Sequence, residues 1–176
     1  CLISGSFESI AFYTGLVFVA AGEIIRLSAV GYLGISSRSP EAEADILVTN
    51  GPYRFVRNPI YVGNVLIYLG FSVLSNVFFP YFSAVILIFF FAVYYCISLY
   101  EEDFLSRKLN NFKAYYEQVP RFFPKIGRAP LSGFTPKPFD LKQALESERA
   151  TFSAIIFVLA ALVAKYYTVH SDIWPK

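Results

Sequence analysis

Four apolar runs, separated by polar stretches of very unequal length, set out the plan of the chain. They extend over about residues 10–30, 59–79, 81–100 and 152–169. Wound as helices, such runs match a hydrocarbon core of about 30 Å. Little more than Asn76, Pro80 and their neighbours separates the second run from the third, so these two are expected to form an antiparallel hairpin across the membrane. The hairpin brings the start of the second run, Arg57 to Tyr61, and the end of the third, Tyr100 to Asp103, to one membrane surface. Glu101 and Glu102 are thereby expected opposite Arg57. The architecture that follows is an all-α integral membrane protein, a single membrane domain over residues 1–176. It has about four transmembrane helices, a helical hairpin and a cytoplasmic amphipathic segment within the connection 101–150.

The stretch ahead of the second run, Gly51 to Gly63, reads GPYRFVRNPIYVG. Gly51-Pro52 is a turn signal. Asn58 is a favoured N-cap residue and Pro59 a favoured first helical residue, so a helix begins at about Pro59. Its unpaired amides lie beside Arg54 and Arg57, which makes this end attractive to an anion. In the first run Glu23 and Arg26 stand three apart on one helix face, near enough to its end to pair with each other at the membrane surface. Between the first two runs Ser36, Ser37, Ser39 and Pro40, then Glu41, Glu43 and Asp45, read as a surface loop ending in a short extended piece over 46–49. After the third run, Phe112, Tyr115, Tyr116 and Val119 follow an i, i+3, i+4, i+7 pattern, which predicts an amphipathic helix with an aromatic face, stopped by Pro120. Lys125 to Lys142 reads as irregular chain, followed by a short polar helix over 141–149. Tyr166, Tyr167 and Trp174 form an interfacial aromatic belt, with His170 solvated within it.

Composition agrees with a membrane protein: 56% of the residues are hydrophobic and only 16% are charged. A net charge of +2 without a Lys/Arg-rich run excludes nucleic acid as a partner and leaves membrane lipids and small molecules. Arg38, Arg54 and Arg57 precede the second run, and Arg107, Lys108, Lys113, Arg121, Lys125, Arg128, Lys137, Lys142 and Arg149 follow the third. Only Lys165 and Lys176 lie towards the other face. The positive-inside rule therefore places the Gly51–Gly63 stretch on the cytoplasmic side, in a bacterium at the inner membrane. Cys1 and Cys96 are far apart, so no disulfide and no metal site is expected, and Cys96 reads as a small packed hydrophobe. A chain that opens on Cys1 and holds no methionine points to a trimmed sequence. Nucleophile elbows, HExxH, P-loops and Gly-x-Gly-x-x-Gly are all missing from the sequence. What remains is a membrane mouth with arginine, paired carboxylates and tyrosines, suited to a ligand that carries both a cation and a carboxylate.

GPYRFVRNPIYVG, a two-helix hairpin, the Glu101-Glu102 pair and then AYYEQVPRFFP together resemble the isoprenylcysteine carboxyl methyltransferase family and its phospholipid methyltransferase relatives, over about residues 29–124. That resemblance implies S-adenosylmethionine as the cofactor. The family's Arg-His-Pro-x-Tyr is matched by Arg57, Asn58, Pro59 and Tyr61, and its Glu-Glu by Glu101 and Glu102. It implies that Arg57 and Glu102 are catalytic, at the reacting centre. Asn58, Pro59, Tyr61, Gly63, Glu101, Tyr115, Tyr116 and Arg121 would bind the cofactor.

Asn58 stands where the family has histidine, which removes a titratable ring. An acceptor that is already nucleophilic, the carboxylate or thiolate of an isoprenylcysteine-like lipid, needs no base there and is favoured. A phospholipid amine would first lose a proton, to Glu101 or Glu102. The alternatives are a phospholipid amine N-methyltransferase, a membrane reductase using NADPH, and a non-catalytic lipid-binding or scaffold protein.

Overall fold

The computed structural model describes residues 2–33, 47–109, 111–124 and 136–171, before residue 10 and after residue 165 by backbone alone. Cys1, the polar loop 34–46, the stretch 125–135 and the side chains of Tyr166, Tyr167, His170 and Trp174 lie outside the described residues.

The described residues form helices and no strand. In chain order they are α1 (Leu2–Leu33), a 3-10 turn (Gly51–Arg54), α2 (Pro59–Ser75), α3 (Tyr81–Lys108), α4 (Phe112–Gln118) and α5 (Leu141–Ser171). Among the described residues three stretches are long and apolar enough to cross a membrane: Ile10–Leu33, Tyr81–Lys108 and Leu141–Lys165. α2 is apolar but shorter, at 17 residues. The chain is thus an all-helical integral membrane protein.

The helix limits depart from the apolar runs for local reasons. α2 stops at Ser75 rather than Phe79, because Asn76 takes the left-handed conformation (φ 50°) and its N–H bonds Val73 O at 3.1 Å, a C-terminal cap. α3 continues two turns beyond Tyr100, since Glu101 to Lys108 is polar yet made mostly of good helix formers. The polar helix over 141–149 and the fourth apolar run are one continuous helix, α5. α4 forms where the aromatic pattern predicts it and ends ahead of Pro120.

α1 and α2 run antiparallel along a seam of glycines, each pair seven residues apart and so on one helix face. A methyl group at Gly22 would lie 2.6 Å from Gly63 O and one at Gly63 2.7 Å from Gly22 O. Gly15 and Gly70 are related in the same way, at 2.8 Å in each direction. Where lipid competes with helix for apolar contact, such close backbone approach is what holds helices together. Gly22→Ala or Gly63→Ala is therefore expected to cost about 1–3 kcal/mol by forcing the seam apart. The thermal unfolding temperature in detergent reads this out.

α3 packs on α2 through stacked rings, Tyr68 on Phe90 at 3.9 Å and Tyr61 on Tyr94 at 4.8 Å between centroids. Its outer face, with Val85, Ile88 and Phe89, and that of α5, with Ile156 and Phe157, stay exposed, as lipid-facing surfaces do. Cys96 is exposed on α3, not packed inside.

Arg26 does more than pair with Glu23 at a surface. It lies 3.8 Å from that carboxylate. It also bonds Glu148 of α5 through Nη2 at 2.7 and 2.9 Å, Thr151 at 3.3 Å, and Asn64 of α2. One guanidinium thus ties three helices together.

Candidate active site

The site is built where the hairpin's open end meets the chain that follows α3. Gly51 has a φ of 60° and packs directly under the Tyr32 ring, so the turn into Gly51–Arg54 requires glycine. The chain then passes along the segment after α4. Arg57 N–H bonds Pro120 O at 2.8 Å, and Asn58 N–H bonds Arg121 O at 3.2 Å. Pro59 starts α2 as expected and is fully buried. Asn58 differs from expectation. It makes no side-chain cap, and its amide Nδ2 instead reaches Arg121 O at 3.5 Å. Backbone pairing to 120–121 has taken the place of the cap.

Glu102 is the centre of the arrangement. Its Oε1 accepts from Arg57 Nε at 2.9 Å and Arg121 Nε at 3.0 Å, and its Oε2 from Arg121 Nη2 at 2.6 Å. Arg57 Nη1 also donates to Tyr116 O (2.7 Å) and Val119 O (2.6 Å), and its guanidinium lies 4.1 Å from the centroid of the Tyr116 ring. Arg121 stacks over Tyr95 at 4.7 Å. Its hydrogen bonds to Glu102 push the Arg121 guanidinium above its ordinary value, so it remains a cation.

Successive side chains on an α-helix point about 100° apart. Glu101 therefore leaves α3 in another direction from Glu102 and accepts the Tyr61 hydroxyl at 2.5 Å. The same helical step explains two residues that sequence reasoning missed. Tyr94 and Tyr95 stand seven residues before Glu101 and Glu102, two turns away on the same faces, and they support Tyr61 and Arg121 respectively. That i, i+7 spacing was the available signal.

Of the residues singled out from sequence, Arg57, Asn58, Glu102, Tyr116 and Arg121 meet in one cluster, with Tyr61 and Glu101 beside it. Gly63 lies in the α1–α2 seam, against Gly22 and Arg26. Tyr115 is buried in the packing under α4 and donates to Tyr53 O at 2.7 Å. Burial pushes the Tyr115 hydroxyl above its ordinary value of 10.0. Its folded-state value is raised, so the protein is expected to lose stability as pH rises past about 10, where the unfolded tyrosine ionises and the buried one does not. Tyr115→Phe should flatten that alkaline decline and cost about 1 kcal/mol near neutrality for the lost bond, measured by denaturation across pH.

Two polar atoms at the cluster remain open among the described residues: Arg57 Nη2, a donor, and Glu101 Oε2, an acceptor. Arg57 Nη2 can donate to an anionic group and Glu101 Oε2 can accept from a cationic one.

A family model described as "Phospholipid methyltransferase" matches residues 10–111, which takes in α1, α2 and α3 with both carboxylates. The chain belongs to the phospholipid methyltransferase family. The match leaves the Tyr115, Tyr116 and Arg121 side of the cluster to this chain's own geometry. Among individual proteins, this methyltransferase family member is similar to the cobalt-zinc-cadmium resistance protein CzcN of Cupriavidus metallidurans. The two are 30% identical over 102 residues, 58% of this chain and 46% of the relative. It is likewise similar to the nickel-cobalt-cadmium resistance protein NccN of Alcaligenes xylosoxydans xylosoxydans, 31% identical over 103 residues, 58% of this chain and 47% of the relative. The match thus spans about half the length of these relatives. No solved structure matches the chain.

Proposed function

We propose that the protein is an S-adenosylmethionine-dependent methyltransferase of the bacterial inner membrane. It would act at the cytoplasmic face on the head group of a lipid-like acceptor. The observation that carries this reading is the meeting of Arg57, Glu102 and Arg121 beside Tyr61 and Glu101, with one open donor and one open acceptor. That pair suits the amino-acid end of the donor: Arg57 for its carboxylate, Glu101 and the tyrosine rings for its cationic groups. When bound, S-adenosylmethionine supplies an activated methyl group on a sulfonium. The protein's task is to align the acceptor and to exclude water.

Asn58 alone favours a carboxylate or thiolate acceptor, because it brings no base. The open carboxylate of Glu101 weakens that argument, and a phospholipid amine becomes the acceptor we put first. The test is purified protein in vesicles containing phosphatidylethanolamine or an S-prenylcysteine, with methyl-labelled S-adenosylmethionine. Label is expected in the amine lipid, and Arg57→Ala is expected to lower its incorporation at least about 100-fold. Label in the S-prenylcysteine alone would reverse the order of acceptors. Full activity in a well-folded Arg57→Ala protein would remove the site assignment.

A further inference from the structure

The stretch after α4 does not stay at the polar end of α3. The Phe122 ring lies 5.3 Å from that of Phe91 and 6.5 Å from that of Tyr95, and the Phe123 ring lies 6.1 Å from that of Phe91. α3 carries no charged residue from Tyr81 to Tyr100 and turns polar at Glu101. At about 1.5 Å per residue, that charge-free stretch matches a hydrocarbon core of about 30 Å. Phe91 stands at its middle, about 14 Å inside the boundary that Tyr100 marks. Two rings from beyond α4 thus rest against α3 at hydrocarbon depth.

We propose that Phe122 and Phe123 form a membrane-inserted surface whose partner is lipid: their rings lie among phospholipid acyl chains of the leaflet on the side of the Arg57–Glu102–Arg121 cluster. Phe123 is 74% exposed, and at the depth of Phe91 the medium around an exposed ring is hydrocarbon. In water, the same exposed aromatic patch on irregular chain would carry the full cost of hydrating it. The backbone allows the insertion, because Pro120 O and Arg121 O are paired with the Arg57 and Asn58 N–H groups and only the rings need reach inward. Arg121 points the opposite way, its guanidinium passing over Tyr95 to Glu102, as a long cationic side chain does beside apolar neighbours. The segment is therefore anchored from two directions, by Glu102 at the polar end of α3 and by the two rings towards its middle. This insertion is independent of which reaction the cluster performs.

The test uses the full chain in phosphatidylcholine vesicles. Trp174 is the only tryptophan, so Trp174→Phe gives a dark background for Phe122→Trp, Phe123→Trp and, as the contrast, Phe55→Trp. Phe55 is 49% exposed at the turn ahead of α2. Phospholipid brominated along its acyl chains is expected to quench Phe122→Trp and Phe123→Trp several-fold more than Phe55→Trp, and aqueous iodide to do the reverse. In the wild-type protein, a phospholipid with a photoactivatable diazirine on an acyl chain is expected to label the 121–124 peptide together with the exposed face of α3.

Quenching of Phe123→Trp by iodide and not by brominated chains would put the segment in water and overturn the proposal. Quenching by neither would mean that protein covers the rings, a second copy of the chain included, and would overturn it too. In the wild-type protein, where no substitution can disturb the fold, label on α3 without label on 121–124 would overturn it as well.

Discussion

Glu102→Gln is expected to cost about 3–5 kcal/mol of stability and to release the 111–124 segment from the start of α2. The side chains of Arg57 and Glu102 are 9% and 8% exposed, so removing the carboxylate charge strands one buried cation and one nearly buried cation together. With Glu102 go the bonds that hold Arg121 over Tyr95 and Arg57 against the Tyr116 and Val119 carbonyls. Hydrogen exchange should show the amides of α4 opening far ahead of those of α2. Asp103 and Arg107, paired at 2.8 Å but 57% and 78% exposed, provide the contrast. Asp103→Asn should change stability by about 0.5 kcal/mol or less, because water screens that pair.

Arg26→Met should be of similar size, about 3–5 kcal/mol, and should loosen α5. Glu148 is 3% exposed and depends on Arg26 for its charge compensation. Glu23, whose carboxylate oxygens are sealed and make no hydrogen bond, loses its neighbouring cation at the same time. The double variant Arg26→Met/Glu148→Leu should recover the part of the loss that comes from Glu148, since apolar side chains can replace a buried ion pair at little cost, while Glu23 stays without its cation. Thermal melts of the two single variants and the double give the coupling directly. If the double is as unstable as Arg26→Met alone, the Arg26–Glu148 pair is not what ties α5 to the bundle.

The sequence made the hairpin and its consequence legible because they depend on length alone: a join as short as 76–80 leaves the chain no route but back across the membrane. Hence connection length alone brings Arg57 and Glu102 to one surface. The helix limits were less legible, because hydropathy reports where water is excluded and not where a helix ends. α3 and α5 carry their helical backbone well into polar sequence. By propensity Asn58 is a cap residue, and pairing with 120–121, sixty residues away, overrides it. Helix spacing pairs Arg26 with its sequence neighbour Glu23. Its main partner, Glu148, is 122 residues distant, and no local pattern announces such a contact. Gly63 stands in a motif that the resemblance ties to the cofactor, yet its backbone lies against Gly22. Within the cluster, the identity of each acid was visible and its occupation was not, since that depends on Arg121 arriving from beyond α4.

The most direct test of the central claim is calorimetric titration of S-adenosylmethionine and S-adenosylhomocysteine into the detergent-purified protein, with NADPH as control. The account predicts saturable binding of both sulfur compounds, lost in Arg57→Ala, and no binding of NADPH. Binding of NADPH alone, or of none of the three by a well-folded protein, would contradict it.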